Sequence, residues 1–263
     1  MKRKVSKIPE SKRTRVEWAE VSLVIQYGCQ EYSLACKNCY AASIAYRFNS
    51  HEVYQGLTKK VDGKIRWTGK LKQKFETVDR IKKLQNLPQG TRVFLCSMTD
   101  WLYGNFERLT RYIFKLCEAY PHLIFQILTK RSDMLVCKFF PPNLYVGVTV
   151  EHNKYLYRID DLRDSNASIK FVSFEPLLSP MSDLDLTGID WVIVGGQTGA
   201  GAGYGDCKDR AGFIDAARKI KAEAERVGAE FFFKKMPLDT KKDIGVDGFT
   251  VNTPKDLRIR QLP

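Results

Sequence analysis

Three cysteines stand close together in this 263-residue chain, at Cys29, Cys36 and Cys39. Their spacing is C-x6-C-x2-C. Thiolates are soft ligands that select iron–sulfur clusters, zinc or copper(I). An iron–sulfur cluster ordinarily takes four cysteines, so three leave one iron with an open position. Structural zinc wants four ligands, commonly two C-x2-C pairs. This chain has one such pair plus Cys29, and a fourth zinc ligand would have to come from His51 or Cys96. Cluster, zinc and plain packing all stay open, and the missing second pair favours the cluster.

Polar groups recur wherever an apolar run stops. Ser97, Thr99 and Asp100 follow one run; Thr129, Lys130 and Arg131 follow the next. Thr149 and Glu151, then Ser173 and Glu175, then Gly195, Gly196 and Gln197, then Lys234 and Lys235 repeat the pattern. Lys130, Arg131 and Lys234 suit the phosphates of a nucleic-acid or nucleotide substrate, and Tyr27, Tyr40, Trp101, Tyr103 and Tyr204 either stack a base or pack the rim. Glu175 is a ligand candidate or a helix cap. Ser173 bonds a ligand or its own backbone. The glycine-rich stretch 195–205 lacks the Gly-Lys-Ser/Thr of a phosphate loop. Close backbone approach is expected at Gly195 and Gly196, and a surface loop beyond them. His122 reads as packing, and His152 opens a helix.

These residues need elements to hold them. Strands are expected at about 21–27, 92–97, 123–129, 144–150, 170–175, 190–195 and 230–234. Helices are expected at about 41–48, 70–85, 105–119, 131–138, 152–163 and 210–227, the second from Leu71, Phe75, Val78, Ile81 and Leu84. The polar stretch 49–69 reads as an insertion near the site, with a hairpin around Val61-Asp62-Gly63-Lys64. Alternating strands and helices imply parallel pairing and predict a closed or nearly closed β/α barrel. Its active site would lie at the C-terminal strand ends.

The chain carries 43 Lys and Arg against 30 Asp and Glu, a net charge of +13. That balance draws a protein to polyanions, nucleic acid first among them. Residues 1–15 hold seven basic residues and one acid and read as a basic N-terminal arm. Residues 16–263 form one expected domain. No apolar run approaches a membrane span, and the N-terminus lacks a signal-peptide core. The expected location is the cytoplasm, or the host cytoplasm for a phage-encoded chain. Seven cysteines, an odd number with three clustered, argue against a disulfide framework. Cys96 and Cys117 read as packing, and Cys137 and Cys207 as bystanders.

The segment Gly28-Cys29 … Ala35-Cys36-Lys37-Asn38-Cys39-Tyr40-Ala41 resembles the signature of a phage and bacterial family of radical-SAM-like proteins. Its pattern is GC-x6-C-x2-CYA. Ser97-Met98-Thr99-Asp100, Leu128-Thr129-Lys130-Arg131, Val172-Ser173-Phe174-Glu175-Pro176 and Val194-Gly195-Gly196 extend the likeness through most of the chain. The family is distantly similar to spore photoproduct lyase, which repairs a thymine dimer in DNA. The resemblance implies a partial or closed TIM-like (β/α) barrel of radical SAM type, within the α/β class. It implies a [4Fe-4S] cluster on Cys29, Cys36 and Cys39 that binds S-adenosylmethionine and yields a 5′-deoxyadenosyl radical. Tyr40, Ser97, Asp100, Ser173, Glu175, Gly195 and Gly196 would contact that cofactor. A reductant protein would supply the electron, and the substrate would be a nucleic-acid base, a phage thymine derivative foremost. A small metabolite or peptide substrate is the alternative, as is a zinc-stabilised nucleic-acid-binding protein without catalysis. Two departures stand out: most radical SAM enzymes carry C-x3-C-x2-C, and Gln197 replaces the acid of the family's Gly-Gly-Glu.

Overall fold

Apolar runs covered on both faces pair in parallel, because their crossovers lay a second layer over the sheet. The computed structural model describes residues 14, 16–73, 84–135, 139–198, 202–239, 244–245 and 247–263. In chain order its first elements are β1 (Val21–Leu23), β2 (Gln26–Tyr27), α1 (Tyr40–Arg47), β3 (Thr58–Val61), β4 (Lys64–Trp67) and β5 (Lys72–Gln73). Then come β6 (Arg92–Leu95), α2 (Phe106–Ala119), β7 (Ile124–Thr129), β8 (Leu144–Thr149), α3 (Tyr157–Arg163) and β9 (Lys170–Phe174). The chain continues through β10 (Trp191–Val194), α4 (Arg210–Val227) and β11 (Glu230–Phe233).

Seven strands form one parallel sheet in the order β1-β6-β7-β8-β9-β10-β11. Sheet order is chain order, so right-handed crossovers put every connection on one face. Leu109 and Ile113 of α2, Ile159 and Leu162 of α3, and Phe213 and Ile220 of α4 pack there. They meet Val93, Ile127, Val146, Val172, Val192 and Phe231 of the sheet. No helix joins β9 to β10; Leu177, Met181, Leu186 and Ile189 cover that stretch from an irregular segment.

The other face curls around one residue. Trp18 is 3% exposed and packs with Phe94, Phe171, Trp191, Ile193 and Phe232. Its ring lies 4.7 Å from Phe94 on β6 and 5.9 Å from Trp191 on β10. Those two rings are therefore no more than about 11 Å apart. In a flat sheet four strand spacings would separate them by about 19 Å. The sheet is a half-barrel, and Trp18 fills its concave side.

This overturns the expected radical SAM-type TIM-like barrel. The sheet is α/β and parallel, but it is open, with β1 and β11 as its edges, and four α-helices stand among the described residues. Closure is blocked because the C-terminal segment takes the free edge of β11. Phe233 N–H donates to the Ile259 carbonyl and Gln261 N–H to that of Phe231, an antiparallel bridge centred on Phe232 and Arg260. Across the seam, Arg260 pairs with Glu17 at 2.7 Å.

Other expectations shift locally. The first strand breaks after Leu23, and β2 leaves the sheet to pair antiparallel with β5. Leu71–Gln73 are therefore not helical, and most of that expected helix lies outside the described residues. So do nearly all of the basic arm, Cys137 and the end of the helix expected at 131–138, which begins as a 3-10 turn, Ser132–Met134. The hairpin expected near residues 61–64 is present as β3 and β4.

Candidate functional site: a cysteine loop on the sheet's C-terminal edge

The chain reaches the cysteines through a glycine that nothing else could replace. Gly28 has φ of +95°, and a Cβ there would lie 2.1 Å from the Lys70 carbonyl oxygen. Its N–H donates to the Met98 carbonyl at 3.2 Å, just beyond β6. Cys29 follows, then a 3-10 turn, Leu34–Asn38, that carries Cys36 and leads through Cys39 into α1. All three thiols are free and half-buried. Burial pushes Cys29 up to about 12, helped by the Asp100 carboxylate and the thiols of Cys39 and Cys36. Burial likewise raises Cys39, opposed by the Ala42 N–H and the Trp67 side chain beside it. The thiols thus sense one another's charge. Among the described residues, no three His, Cys, Asp or Glu side chains form a ready-made metal-holding group.

The two candidate fourth zinc ligands differ in exposure: Cys96 is buried and His51 is exposed. Cys96 is 3% exposed, sits at φ +60° and takes a backbone hydrogen bond from Ile25. The His51 Nδ1 accepts from the Val53 N–H at 3.4 Å. Cys117 and Cys207 are buried.

Around the loop, the expected cofactor residues divide. Tyr40 lies closest: its hydroxyl donates to the Ser97 carbonyl at 3.0 Å although half of the residue is exposed. Burial raises the pKa of the hydroxyl, with Cys39 and Glu175 adding to the shift. The Ser97 hydroxyl accepts from Ser22 at 3.1 Å. Glu175 receives Lys234 Nζ at 2.7 Å and the Trp18 indole N–H at 3.2 Å. Asp100 is fully engaged by the protein: Thr129 Oγ1 at 2.7 Å, Lys130 N–H at 2.9 Å and Leu102 N–H at 3.1 Å all donate to it. It stitches the end of β6 to the end of β7. Ser173 is buried on β9 between Thr149 and Ile193 of the neighbouring strands. Gly195 and Gly196 are demanded by packing. A Cβ on the first would lie 2.8 Å from Glu175 Oε1, and one on the second 2.2 Å from the Pro237 nitrogen. Glu175 opens a turn and caps no helix, so the helix-cap alternative falls.

Lys130, Arg131 and Lys234 all have protein partners. Lys130 Nζ reaches Glu151 at 3.3 Å, and the Arg131 guanidinium lies 4.4 Å above the Tyr32 ring. Two residues missed at the sequence level organise this region. Arg158 is fully buried and donates to the Thr149 carbonyl at 2.7 Å and to Glu151 at 3.0 Å. Burial would raise the Glu151 pKa, but Lys130, Arg158 and the nearby Ser33 hydroxyl outweigh it, and the net shift is downward. The Tyr155 hydroxyl accepts from the Leu34 N–H at 3.3 Å. Tyr32, Ser33 and Leu34 of the cysteine loop are thus seated on this buried charge network. The other missed residue is Trp18. His152, read as a helix opener, does cap the turn at Asn153–Tyr155, and its Nε2 also meets Asp206 at 2.9 Å.

Fold and site define an open, parallel α/β half-barrel that presents three free thiols at its C-terminal edge. The chain belongs to a family described as "Protein of unknown function (DUF5131)", whose pattern matches residues 13–246. No curated protein and no solved structure matches it. No helix among the described residues is long and apolar enough to cross a membrane.

Proposed function

We propose that this protein is a radical enzyme that holds a [4Fe-4S] cluster on Cys29, Cys36 and Cys39 and uses S-adenosylmethionine to modify or repair a nucleic-acid base. The observation that carries the reading is the donor set. Three free thiols share one loop, and Cys96, one of the two candidates for a fourth zinc ligand, is buried in the core. Three thiolates leave a cluster one open iron. When bound, the cluster and S-adenosylmethionine supply one-electron cleavage of a carbon–sulfur bond and hydrogen abstraction from an unactivated carbon.

The chain's own groups do the holding. Tyr40, fixed on the Ser97 carbonyl, walls the space beside Cys39. Glu175, fixed by Lys234 and Trp18, offers the nearest carboxylate for an amino group or ribose hydroxyl. Asp100 positions the ends of β6 and β7. The substrate class rests on the +13 charge, which favours a polyanion. A reductant protein completes the scheme.

Anaerobic purification with iron, sulfide and zinc analysis tests this. About four irons per chain are expected, with 5′-deoxyadenosine formed on adding dithionite and S-adenosylmethionine. Cys29→Ala, Cys36→Ala and Cys39→Ala should each abolish iron binding, while Cys117→Ala should not. Zinc without iron after cluster reconstitution would instead support a non-catalytic nucleic-acid-binding protein.

A further inference from the structure

The hairpin β3–β4 is inserted between α1 and the second strand of the main sheet, and it is built against its own electrostatics. Paired residues in an antiparallel hairpin share a face. Thr58 opposite Trp67 and Lys60 opposite Ile65 make one face. Thr58 and Trp67 are buried there, with Trp67 packed among Ala41, Ala42, Ala45 and Leu57. The other face carries Lys59 opposite Arg66 and Val61 opposite Lys64. Three cations therefore share one small surface, and two of them lie directly across from each other, an arrangement that destabilises a hairpin. Lys59 and Lys64 are exposed.

This cationic face is tied to the cysteine loop. Arg66 Nη1 reaches both carboxylate oxygens of Glu31, at 3.0 and 2.9 Å. From the opposite face, Trp67 packs in the same cluster as Cys39. β4 also packs against the turn Leu34–Asn38, where Lys37 is exposed. Across residues 29–73 there are eight Lys and Arg against three Asp and Glu. The local excess of cations thus sits beside the thiols, on an element whose position the thiol loop fixes.

We infer that Lys59 and Lys64, with Lys37, form a docking surface for the phosphate backbone of a polynucleotide and deliver it to the cysteine loop. The inference deepens the proposed function and rests on its nucleic-acid reading. The chemistry is that of phosphate contacts, which fix register and carry no sequence information. Arg66 already has Glu31, so a polyanion laid along this face supplies negative charge to Lys59 and Lys64, and each lysine contact releases a counterion.

The test is the salt dependence of binding to short DNA, single-stranded and duplex. It uses the full-length protein, Lys59→Gln/Lys64→Gln, and a control with two charges removed from α2, Arg111→Gln/Lys115→Gln. The hairpin variant should bind about tenfold more weakly at low salt, and its slope of log affinity against log salt should fall by about two. The α2 variant should keep nearly the parent slope. Unchanged thermal unfolding, and iron content equal to the parent's, will show that the hairpin and loop are intact. An equal loss in both variants would mean diffuse attraction to a basic protein and would overturn the docking surface alone. So would an unchanged slope in the hairpin variant. If the parent protein binds neither form of DNA, the nucleic-acid substrate falls with it, whereas iron content judges the cluster independently.

Discussion

At the scale of single residues, the costliest group in the molecule is Arg158. A fully buried guanidinium beside a fully buried carboxylate is stable only while both are present. Its Nε and Nη2, and Glu151 Oε1, have no hydrogen-bond partner among the described residues, so the pair is under-satisfied already. Arg158→Met should destabilise the fold by about 3–5 kcal/mol, because Glu151 would keep Lys130 as its one remaining ion-pair partner. Adding Glu151→Gln to that variant should restore part of the loss, as urea unfolding of the four-member cycle would reveal. The same pair predicts a pH dependence. The folded Glu151 pKa is depressed, so its ionisation stabilises above the ordinary glutamate value of about 4.3, and that contribution fades as pH falls through the lower, folded value. Glu151→Gln should lose that acid limb. If the single and double variants unfold at the same urea concentration, the network contributes nothing beyond volume. A signal for Arg158 did exist in the sequence. It falls four residues before Leu162 and next to Ile159, on the apolar stripe of α3, where a charge has no reason to be unless it has a buried partner.

At the scale of elements, the cysteine loop is located by backbone as much as by side chains. Gly28 admits Lys70, just before β5, against the chain; its own N–H binds Met98 just beyond β6, and Tyr27 before it pairs with Lys72 of β5. Gly28→Ala should therefore destabilise by more than about 1 kcal/mol, since φ is positive and a carbonyl occupies the Cβ position. It should also loosen protection of the amides in β2 and β5, with β8 and β9 unaffected, a contrast hydrogen exchange can measure. Uniform loss of protection would show that the loop and sheet unfold as one unit. The strands were legible in the sequence because buried parallel strands are continuous apolar runs, as Trp191-Val192-Ile193-Val194 and Phe231-Phe232-Phe233 show. The hairpin was legible from Asp62-Gly63. The pairing of β2 with β5 was not. Both are two-residue strands, too short for any periodicity, and their register is set by Gln26 meeting Gln73 through a side-chain bond of 2.9 Å.

At the scale of the whole molecule, parallel order and strand ends were readable, but closure was not. Nothing in the local pattern says whether the last strand meets the first. That is decided by segments remote in sequence: residues 259–261 take the edge of β11, and Glu17 reaches Arg260 across the seam. The candidate site was legible to the same degree. Glu175 directly follows β9, as the end of its apolar run predicted, whereas Trp18 lies 157 positions from the Glu175 it supports.

Trp18 is therefore where fold and site are joined. A half-barrel has no opposing strands to fill its concave side, so one indole takes that volume against β6, β9 and β10. The same indole holds the Glu175 carboxylate from below while Lys234 holds it from the side. Trp18→Ala should cost about 3–5 kcal/mol through the cavity it leaves, a melting shift on the order of 10 °C for a chain of this size. Trp18→Phe separates the two roles. It keeps much of the apolar fill and removes the N–H, so unfolding should move much less while Glu175 loses one of its two anchors. With Trp18→Phe, iron content should match the parent, but affinity for S-adenosylmethionine, measured by calorimetry on the cluster-loaded protein, should fall several-fold, by about the 1 kcal/mol of a typical hydrogen bond. If both variants lose stability equally and affinity not at all, Trp18 is a core residue that happens to lie beneath Glu175, and the link between the seam and the site is structural alone.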